Sequence, residues 1–201
     1  MQEYEFSEYY FAHLVPIWTT LFSRSGGRIN KVLEIGSYEG GSSVWILENL
    51  LRGGGELHCI DTWQGGIEHQ KDKMPEVEAR FDRNVAKALK KADKVKLFKH
   101  TGLSRLKLTE LMAGGHLSSF DLVYVDGSHE SSDVLCDLVS AFQLCKVQGL
   151  IICDDYLWGY EDNLRLSPKL AVDSFINCYN SKIKVLLKMP LYQMYFSKTR
   201  E

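Results

Sequence analysis

Short apolar runs alternate along most of the chain with segments of helical periodicity. Seven runs predict strands at residues 31–36, 56–61, 95–98, 120–125, 149–153, 183–189 and 192–196. Between them, apolar residues recur every three or four positions, which predicts helices at 41–51, 77–92, 104–112, 132–147 and 168–180. The run at 149–153 is continuously apolar and therefore indicates a strand buried on both faces.

This alternation predicts an α/β domain with a doubly wound sheet. Right-handed crossovers make the first five strands parallel and place helices on both faces. The last two runs, joined tightly through Pro190 and Leu191, predict a hairpin that adds an antiparallel strand at one edge. The sheet then has seven strands and is mostly parallel, and residues 1–201 form a single domain.

Residues 1–30 are expected to form a helical cover over a core at 31–201. The cover has one apolar stripe, made of Tyr9, Tyr10, Leu14, Trp18 and Phe22. Packing against the core is the favoured interpretation of this stripe, and a substrate lid is the alternative. A contact between two copies of the chain, giving a homodimer, also stays open.

Composition narrows the class of protein. Lys and Arg total 24 against 26 Asp and Glu, so the net charge of −2 gives no reason to expect a nucleic-acid or anionic-membrane partner. No apolar stretch reaches the roughly 18 residues of a membrane span. The five cysteines form no C-x-x-C pair, and Cys59 and Cys153 fall within strand runs. We therefore expect a reduced, cytoplasmic protein with neither a zinc site nor a disulfide framework.

The residues that follow the predicted strands indicate where a ligand binds. In open α/β sheets, ligands bind beyond the carboxyl ends of the strands, near the switch in strand order. The segments at these ends are polar, acidic and rich in glycine, and they lie at 34–41, 61–63, 100–104, 126–129 and 154–156.

The first of these turns has an unusual glycine spacing. Gly36, Gly40 and Gly41 give G-x-x-x-G-G, which differs from the dinucleotide fingerprint G-x-G-x-x-G, and the lysine of a phosphate-binding loop is missing. Glu34 and Glu39 would repel a pyrophosphate. They suit a ligand that carries an ammonium and a sulfonium group; the alternative is a glycine-rich turn that binds no ligand.

Asp61 ends the second predicted strand, about twenty residues beyond the glycine turn. An acidic residue at this position can accept hydrogen bonds from both hydroxyls of a ribose. The alternative is a strand-end carboxylate that caps a turn. Trp63 has two interpretations as well: contact with a ribose or adenine, or an anchor for the irregular loop at 62–75.

Four segments together carry a family resemblance. They read V-L-E-I-G-S-Y-E-G-G-S-S from residue 32, I-D-T-W from residue 60, V-D-G-S-H from residue 125 and G-L-I-I-C-D-D-Y from residue 149. Over about residues 30–198 the chain resembles the class I, Rossmann-like methyltransferases that use S-adenosylmethionine (SAM). It is most similar to the branch of small-molecule and sugar O-methyltransferases with a D-G-x-H turn.

The resemblance implies SAM as cofactor and a small-molecule acceptor, with a hydroxyl oxygen of a sugar or natural product as the methylated atom. It places Glu34 and Gly36 against the methionine part of SAM, Asp61 on the ribose, residues 101–104 beside the adenine and Asp126 near the amino group and reaction centre. The implied cofactor-binding residues are Glu34, Gly36, Ser37, Tyr38, Gly40, Ser42, Asp61, Thr62, Trp63, Gly102, Ser104 and Asp126.

Catalytic and metal-binding candidates follow the fourth and fifth predicted strands. Asp126, Asp154 and Asp155 match positions at which some similar proteins hold Mg²⁺ or another divalent cation; the alternative is that the Asp154–Asp155 pair caps its loop. His129, and Asp126 beside it, are the catalytic candidates, with His129 as general base because an imidazole titrates near neutral pH. A structural histidine is the competing interpretation. His69 and the loop 156–158 are expected to line the acceptor pocket.

Two other classes of function stay open. One is a nucleotide-dependent oxidoreductase or another tailoring enzyme on the same fold, although its glycine fingerprint is missing. The other is a non-catalytic module that binds SAM or S-adenosylhomocysteine (SAH), because a fold alone does not determine function.

Overall fold

A computed structural model describes residues 3–23, 29–66, 71–159 and 163–201. The strands are β1 (Lys31–Ile35), β2 (Gly55–Asp61), β3 (Val95–Thr101), β4 (Phe120–Val125), β5 (Cys145–Cys153), β6 (Ile183–Val185) and β7 (Met194–Lys198). The helices are α1 (Val15–Ser23), α2 (Gly41–Trp45, continued by a π-helical turn at Ile46–Leu50), α3 (Val77–Leu89), α4 (Ser104–Ala113), α5 (Ser131–Leu144) and α6 (Pro168–Tyr179). Short 3-10 turns occur at Tyr10–His13, Lys71–Glu76 and Leu164–Leu166.

All seven strands form one sheet in the order β3-β2-β1-β4-β5-β7-β6. Strand β7 is antiparallel to both of its neighbours, and the other strands share one direction. The predicted doubly wound, mostly parallel, seven-stranded sheet is therefore confirmed. The strand order reverses between β1 and β4, so the carboxyl ends of these two strands frame the crevice in which such sheets bind ligands.

Both faces of the sheet are buried. Along β1, Val32 belongs to the apolar core under α1, α2 and α3, whereas Leu33 belongs to the core under α4, α5 and α6. This alternation follows from the two-residue period of a strand, which sends successive side chains to opposite faces. Leu14 and Trp18 of the predicted stripe are buried in the first core and Tyr9 and Phe22 pack against it, whereas Tyr10 is exposed. The packing interpretation therefore holds for four of its five residues. None of the helices in the described part of the chain is long and apolar enough to cross a membrane.

Several predicted boundaries are wrong, and two of them have a visible cause. Helix α5 ends at Leu144 and not at residue 147, because Cys145 already pairs with Phe120 in the sheet. The terminal hairpin is also not tight, since residues 186–193 separate β6 from β7. This connection is held at the site edge of the sheet, where the Tyr156 amide donates to the Tyr192 carbonyl at 2.9 Å.

The predicted helical cover is shorter than expected, because residues 3–9 are not helical. A side chain of α3 instead provides hydrogen bonds to this segment's backbone. The Glu5 amide donates to Asn84 Oδ1 at 2.8 Å, and Asn84 Nδ2 donates to the Glu5 carbonyl at 2.9 Å. Glu5 also pairs with Arg83 and Lys87 of α3. Part of the basic face of α3 thus binds an acidic N-terminal segment of the same chain.

Candidate active site

The turns after β1 and β4 lie in direct contact at the strand switch point. Gly36 has φ +86°, and its amide donates to the Ile60 carbonyl at 2.8 Å. A Cβ atom on Gly36 would lie 1.8 Å from the carbonyl oxygen of Asp126. Only glycine can occupy this position, since any side chain would overlap the backbone of the neighbouring turn.

Glu34 lies beneath the glycine turn and is completely buried. Its carboxylate accepts hydrogen bonds from the hydroxyls of Ser37 and Ser42, each at 2.6 Å, and from Ser43. Burial raises the pKa of Glu34, while the serine donors oppose that shift. Glu34, Ser37 and Ser42 therefore shape the turn from below, and a direct contact of Glu34 with a cofactor stays a prediction.

No serine caps α2, although Ser42 and Ser43 stand at its start. Gly40 occupies the N-cap in the left-handed region, with φ +83° and no side-chain cap. Ser42 and Ser43 point to Glu34 instead, because a buried carboxylate needs donors. The first amides of α2 are thus left without a capping side chain.

Asp61 joins the turns after β1 and β2. Its Oδ2 accepts from the amides of Ser37 and Tyr38, both at 2.8 Å, and its Oδ1 accepts from the Trp63 amide at 2.7 Å. Asp61 therefore caps the turns, as the alternative interpretation predicted. Ribose binding stays a prediction, and the carboxylate that would provide it is already held in place by three backbone donors.

Trp63 serves as a loop anchor. Its ring is buried against Phe81, with centroids 5.0 Å apart, and its Nε1 donates to the Tyr38 carbonyl at 3.0 Å. The Tyr38 ring is half-buried and faces Tyr10 of the cover. The neighbouring Thr62 accepts the Gln64 amide at 3.2 Å.

The segment after β3 contacts an acidic residue of α5 that the sequence did not single out. Gly102 donates its amide to the Asp61 carbonyl at 2.9 Å, and Ser104 begins α4. The Ser104 side chain hydrogen-bonds Asp137 of α5, whose burial raises its pKa to about 7. Within the described part of the chain, Asp137 Oδ1 has no hydrogen-bond partner. The signal was present, because Asp137 interrupts the apolar stripe of α5 between Val134 and Leu138.

Asp126 and Asp154 meet at one tyrosine. The Tyr124 hydroxyl lies 2.9 Å from Asp126 Oδ2 and also contacts Asp154 Oδ2. Gln193 Nε2 donates to the same Asp154 oxygen at 2.9 Å. Burial, and then the charge of Asp155, raise the pKa of Asp154 to about 6; burial and Asp154 raise the pKa of Asp126. These two carboxyls therefore hold protons more tightly than ordinary aspartates.

Asp155 points away from this pair toward His129. Its Oδ2 lies 2.7 Å from His129 Nε2, and its Oδ1 accepts the Tyr192 hydroxyl at 2.7 Å. The Trp158 ring stacks on the His129 ring with centroids 4.1 Å apart. The arrangement orients an imidazole at the carboxyl edge of the sheet, which is what a general base requires.

The other acceptor-loop predictions have mixed outcomes. The Tyr156 hydroxyl donates to Asp173 of α6 at 2.9 Å, so Tyr156 is turned away from His129. His69 lies outside the described residues. Asp126, His129, Asp154 and Asp155 line one small cavity, which confirms that the ends of β4 and β5 converge.

The predicted three-carboxylate metal site does not form as a single cluster. Across residues 3–23, 29–66, 71–159 and 163–201, no three Asp, Glu, His or Cys side chains are arranged to share an ion. The reason is visible at Asp155, whose two oxygens face His129 and Tyr192. Asp126 and Asp154 are left as a pair.

Comparison with known proteins agrees with this geometry. A family model described as a methyltransferase domain matches residues 33–156, which span β1 to the loop after β5. The chain belongs to the class I SAM-dependent methyltransferases. Among curated proteins, no sequence matches this methyltransferase at a significant level.

Solved structures share the fold of this methyltransferase at low identity. A protein from Corynebacterium glutamicum is 17% identical with a TM-score of 0.59, over 94% of this chain and 82% of that one. MycE from the mycinamycin biosynthetic pathway, in complex with Mg, SAH and mycinamycin VI, is 16% identical with a TM-score of 0.62, over 95% of this chain. This chain spans about half (50%) of the length of MycE. CalS11, a calicheamicin methyltransferase, is 11% identical with a TM-score of 0.58, over 92% of this chain and 77% of that one.

Proposed function

We propose that this methyltransferase binds SAM in the crevice beyond β1, β2 and β4 and transfers its methyl group to a hydroxyl oxygen of a small molecule. The observation that carries the proposal is His129, oriented by Asp155, in the same cavity as Asp126. The crevice lies at the strand switch point, where the glycine turn lets a ligand approach the backbone. MycE and CalS11, whose structures are named for mycinamycin VI and calicheamicin, support a natural-product acceptor.

The chemistry follows from positioning and one proton transfer. The acceptor oxygen attacks the SAM methyl carbon in line with the sulfur, so that an O–CH₃ bond forms as the S–CH₃ bond breaks and SAH leaves. His129 takes the hydroxyl proton, and Asp155 stabilises the resulting imidazolium through the 2.7 Å contact. Tyr192 fixes the second oxygen of Asp155 and thereby the plane of the dyad.

We further propose that Asp126 and Asp154 hold one hydrated divalent cation such as Mg²⁺. The pair fits Mg²⁺, which is commonly bound through one or two carboxylates and keeps several waters. The Tyr124 and Gln193 side chains, which contact Asp154, are both neutral. They therefore leave the charge of the two carboxylates to be balanced by a cation. When bound, such an ion would make an acceptor hydroxyl a stronger acid. Asp155 is excluded from this proposal because it serves His129.

Calorimetric titration tests the cofactor. SAM and SAH are expected to bind saturably and NAD not at all. Asp61→Asn should weaken adenosyl binding about 10- to 100-fold, because an amide nitrogen would replace one acceptor of the proposed ribose hydroxyls and of the half-buried turn amides, at a loss of about 1–3 kcal/mol. The exposed Asp93→Asn is the control and should bind like the wild type. Binding of NAD in place of the adenosyl ligands would favour the oxidoreductase alternative.

A titration with Mg²⁺ in the presence of SAH tests the cation. We expect Asp154→Asn to lower the Mg²⁺ affinity at least about tenfold, since one of two carboxylate ligands is lost. Asp155→Asn is the matched control, because it removes one charge from the neighbouring residue without removing a ligand. The opposite ranking of the two variants, or no heat from Mg²⁺ with the wild type, contradicts the proposal.

A further inference from the structure

A chain of buried hydrogen bonds connects the N-terminal cover to the acidic pair. Trp18 of α1 is completely buried, and its Nε1 donates to Gln193 Oε1 at 2.9 Å. The Tyr195 hydroxyl contacts the same oxygen at 2.6 Å. Gln193 itself is only 2% exposed, so its amide has no access to bulk water as an alternative partner.

The chemistry of the indole determines how this amide is oriented. An indole N–H can donate but never accept, so the Gln193 atom that faces Trp18 must be the oxygen. The amide nitrogen then faces the other way, toward Asp154 Oδ2 at 2.9 Å and the Tyr124 hydroxyl at 3.4 Å. With the amide reversed, an oxygen would face the Asp154 carboxylate and an N–H₂ group would face the indole N–H.

We propose that Gln193 is a positioning residue of the active site, set by Trp18 and Tyr195, and that it holds the Asp154 carboxylate against Tyr124 beside Asp126. This inference rests on the proposed function, because it assumes that the acidic pair faces the cofactor. It gives α1 a second role besides packing. Removing the donors behind the amide changes the electrostatics of the crevice although no residue that touches the cofactor is altered.

The affinity ratio of SAM to SAH measures this effect. Both ligands carry the adenosine and the amino acid, but only SAM carries the sulfonium charge, which the carboxylate pair attracts in a buffer free of divalent cations. Loss of the fold, or of general packing, weakens both ligands alike. Loss of the position of Asp154 weakens SAM selectively, so the ratio separates positioning from plain support of the structure.

The experiment combines Trp18→Phe and Tyr195→Phe, singly and together, with calorimetry of SAM and SAH. Each single variant leaves one donor on the Gln193 oxygen, and we expect the ratio to change less than about threefold. The double variant leaves none, and the preference for SAM should fall at least about tenfold, as it should in Gln193→Glu, which places a second carboxylate against Asp154. Trp45→Phe removes another buried indole, which packs edge-on against the Trp18 ring at 5.4 Å but does not hydrogen-bond Gln193, and it should leave the ratio unchanged.

Equal weakening of both ligands in the double variant, or an unchanged ratio, overturns the proposal. Hydrogen exchange provides a second measurement that does not depend on the cofactor. The side-chain amide of Gln193 should exchange its hydrogens far more slowly than that of the exposed Gln143. The double variant should abolish this difference. If the wild type binds neither SAM nor SAH, the proposed function fails, and the exchange rates alone decide whether the amide is held. Equally fast exchange at the two glutamines overturns the proposal.

Discussion

Gly36→Ala is expected to destabilise the methyltransferase by more than about 3 kcal/mol, enough to remove most of the folded population in mild denaturant. The left-handed conformation alone costs a non-glycine residue about 1–2 kcal/mol. The larger part comes from overlap, because the new Cβ would lie 1.8 Å from the Asp126 oxygen and 2.4 Å from its carbonyl carbon. Relief requires separation of two turns whose contacts include the Asp126 amide on the Ile35 carbonyl at 2.7 Å, and each such bond is worth about 1 kcal/mol.

Gly115→Ala provides the matched control. Gly115 has φ +85°, nearly the same as Gly36, and a Cβ there meets no atom within 4 Å. This variant should therefore lose only the conformational term of about 1–2 kcal/mol. Urea denaturation followed by far-ultraviolet circular dichroism gives both values. Equal losses at the two glycines would show that the contact between the turns contributes nothing.

Asp137→Asn is expected to change the pH dependence of stability strongly. Burial raises the pKa of Asp137 to about 7, whereas a free aspartate titrates near 3.9. Between these values the folded state binds a proton that the unfolded chain releases, so the free energy of unfolding falls as the pH rises through this window. The asparagine variant lacks this loss, so its stability relative to the wild type should rise by about 4 kcal/mol from pH 4 to pH 8.

Denaturation series at several pH values measure this difference. Asparagine keeps a carbonyl oxygen for the Ser104 hydrogen bond, so the substitution removes mainly the charge. Asp93→Asn, on the surface, is the control and should follow the wild-type pH curve. Parallel curves for Asp137→Asn and the wild type would mean that Asp137 titrates like an exposed carboxyl.

The sequence predicted the centre of the sheet well and its margins less well. Strand β4 has the predicted bounds, and β1 and β2 differ by one residue, because Gly36, Gly55 and Asp126 mark ends of these strands. At 145–147 the apolar spacing still suits a helix. The competing partner is Phe120, 25 positions away from Cys145, and a local pattern contains no information about such pairing.

The same distinction applies to the site. The rule that ligands bind at strand ends predicts that the residues after β4 and β5 lie close together. Four of them do line one cavity: Asp126, His129, Asp154 and Asp155. It could not assign their partners, because these come from distant segments. Gln193 and Asp154, which are hydrogen-bonded, lie 39 positions apart in the chain. Tyr124 lies within an apolar strand run, where the sequence gives no sign that its hydroxyl contacts the two aspartates.

The hydrogen-bond partners in the structure also distinguish between the interpretations that the sequence leaves open for Asp154 and Asp155. Asp154 and Asp155 are adjacent in the chain, and the sequence treats them as one pair of metal ligands. In the structure, Asp155 has φ +58°, and its side chain faces His129 while that of Asp154 faces Tyr124. The backbone conformation at one residue thus turns two adjacent carboxylates toward different partners, which the sequence pattern does not predict.

The place of β7 in the sheet has a consequence for synthesis on the ribosome. Although β7 is the last of the seven strands along the chain, it lies between β5 and β6, so the edge of β5 stays open while the nascent chain lengthens. Trp18 and Gln193 are 175 positions apart, so the N-terminal cover emerges first and can dock in its final position only after the segment before β7 has emerged. A newly made chain therefore exposes both an unpaired strand and an apolar stripe, which are the surfaces that holding chaperones bind and that aggregation exploits.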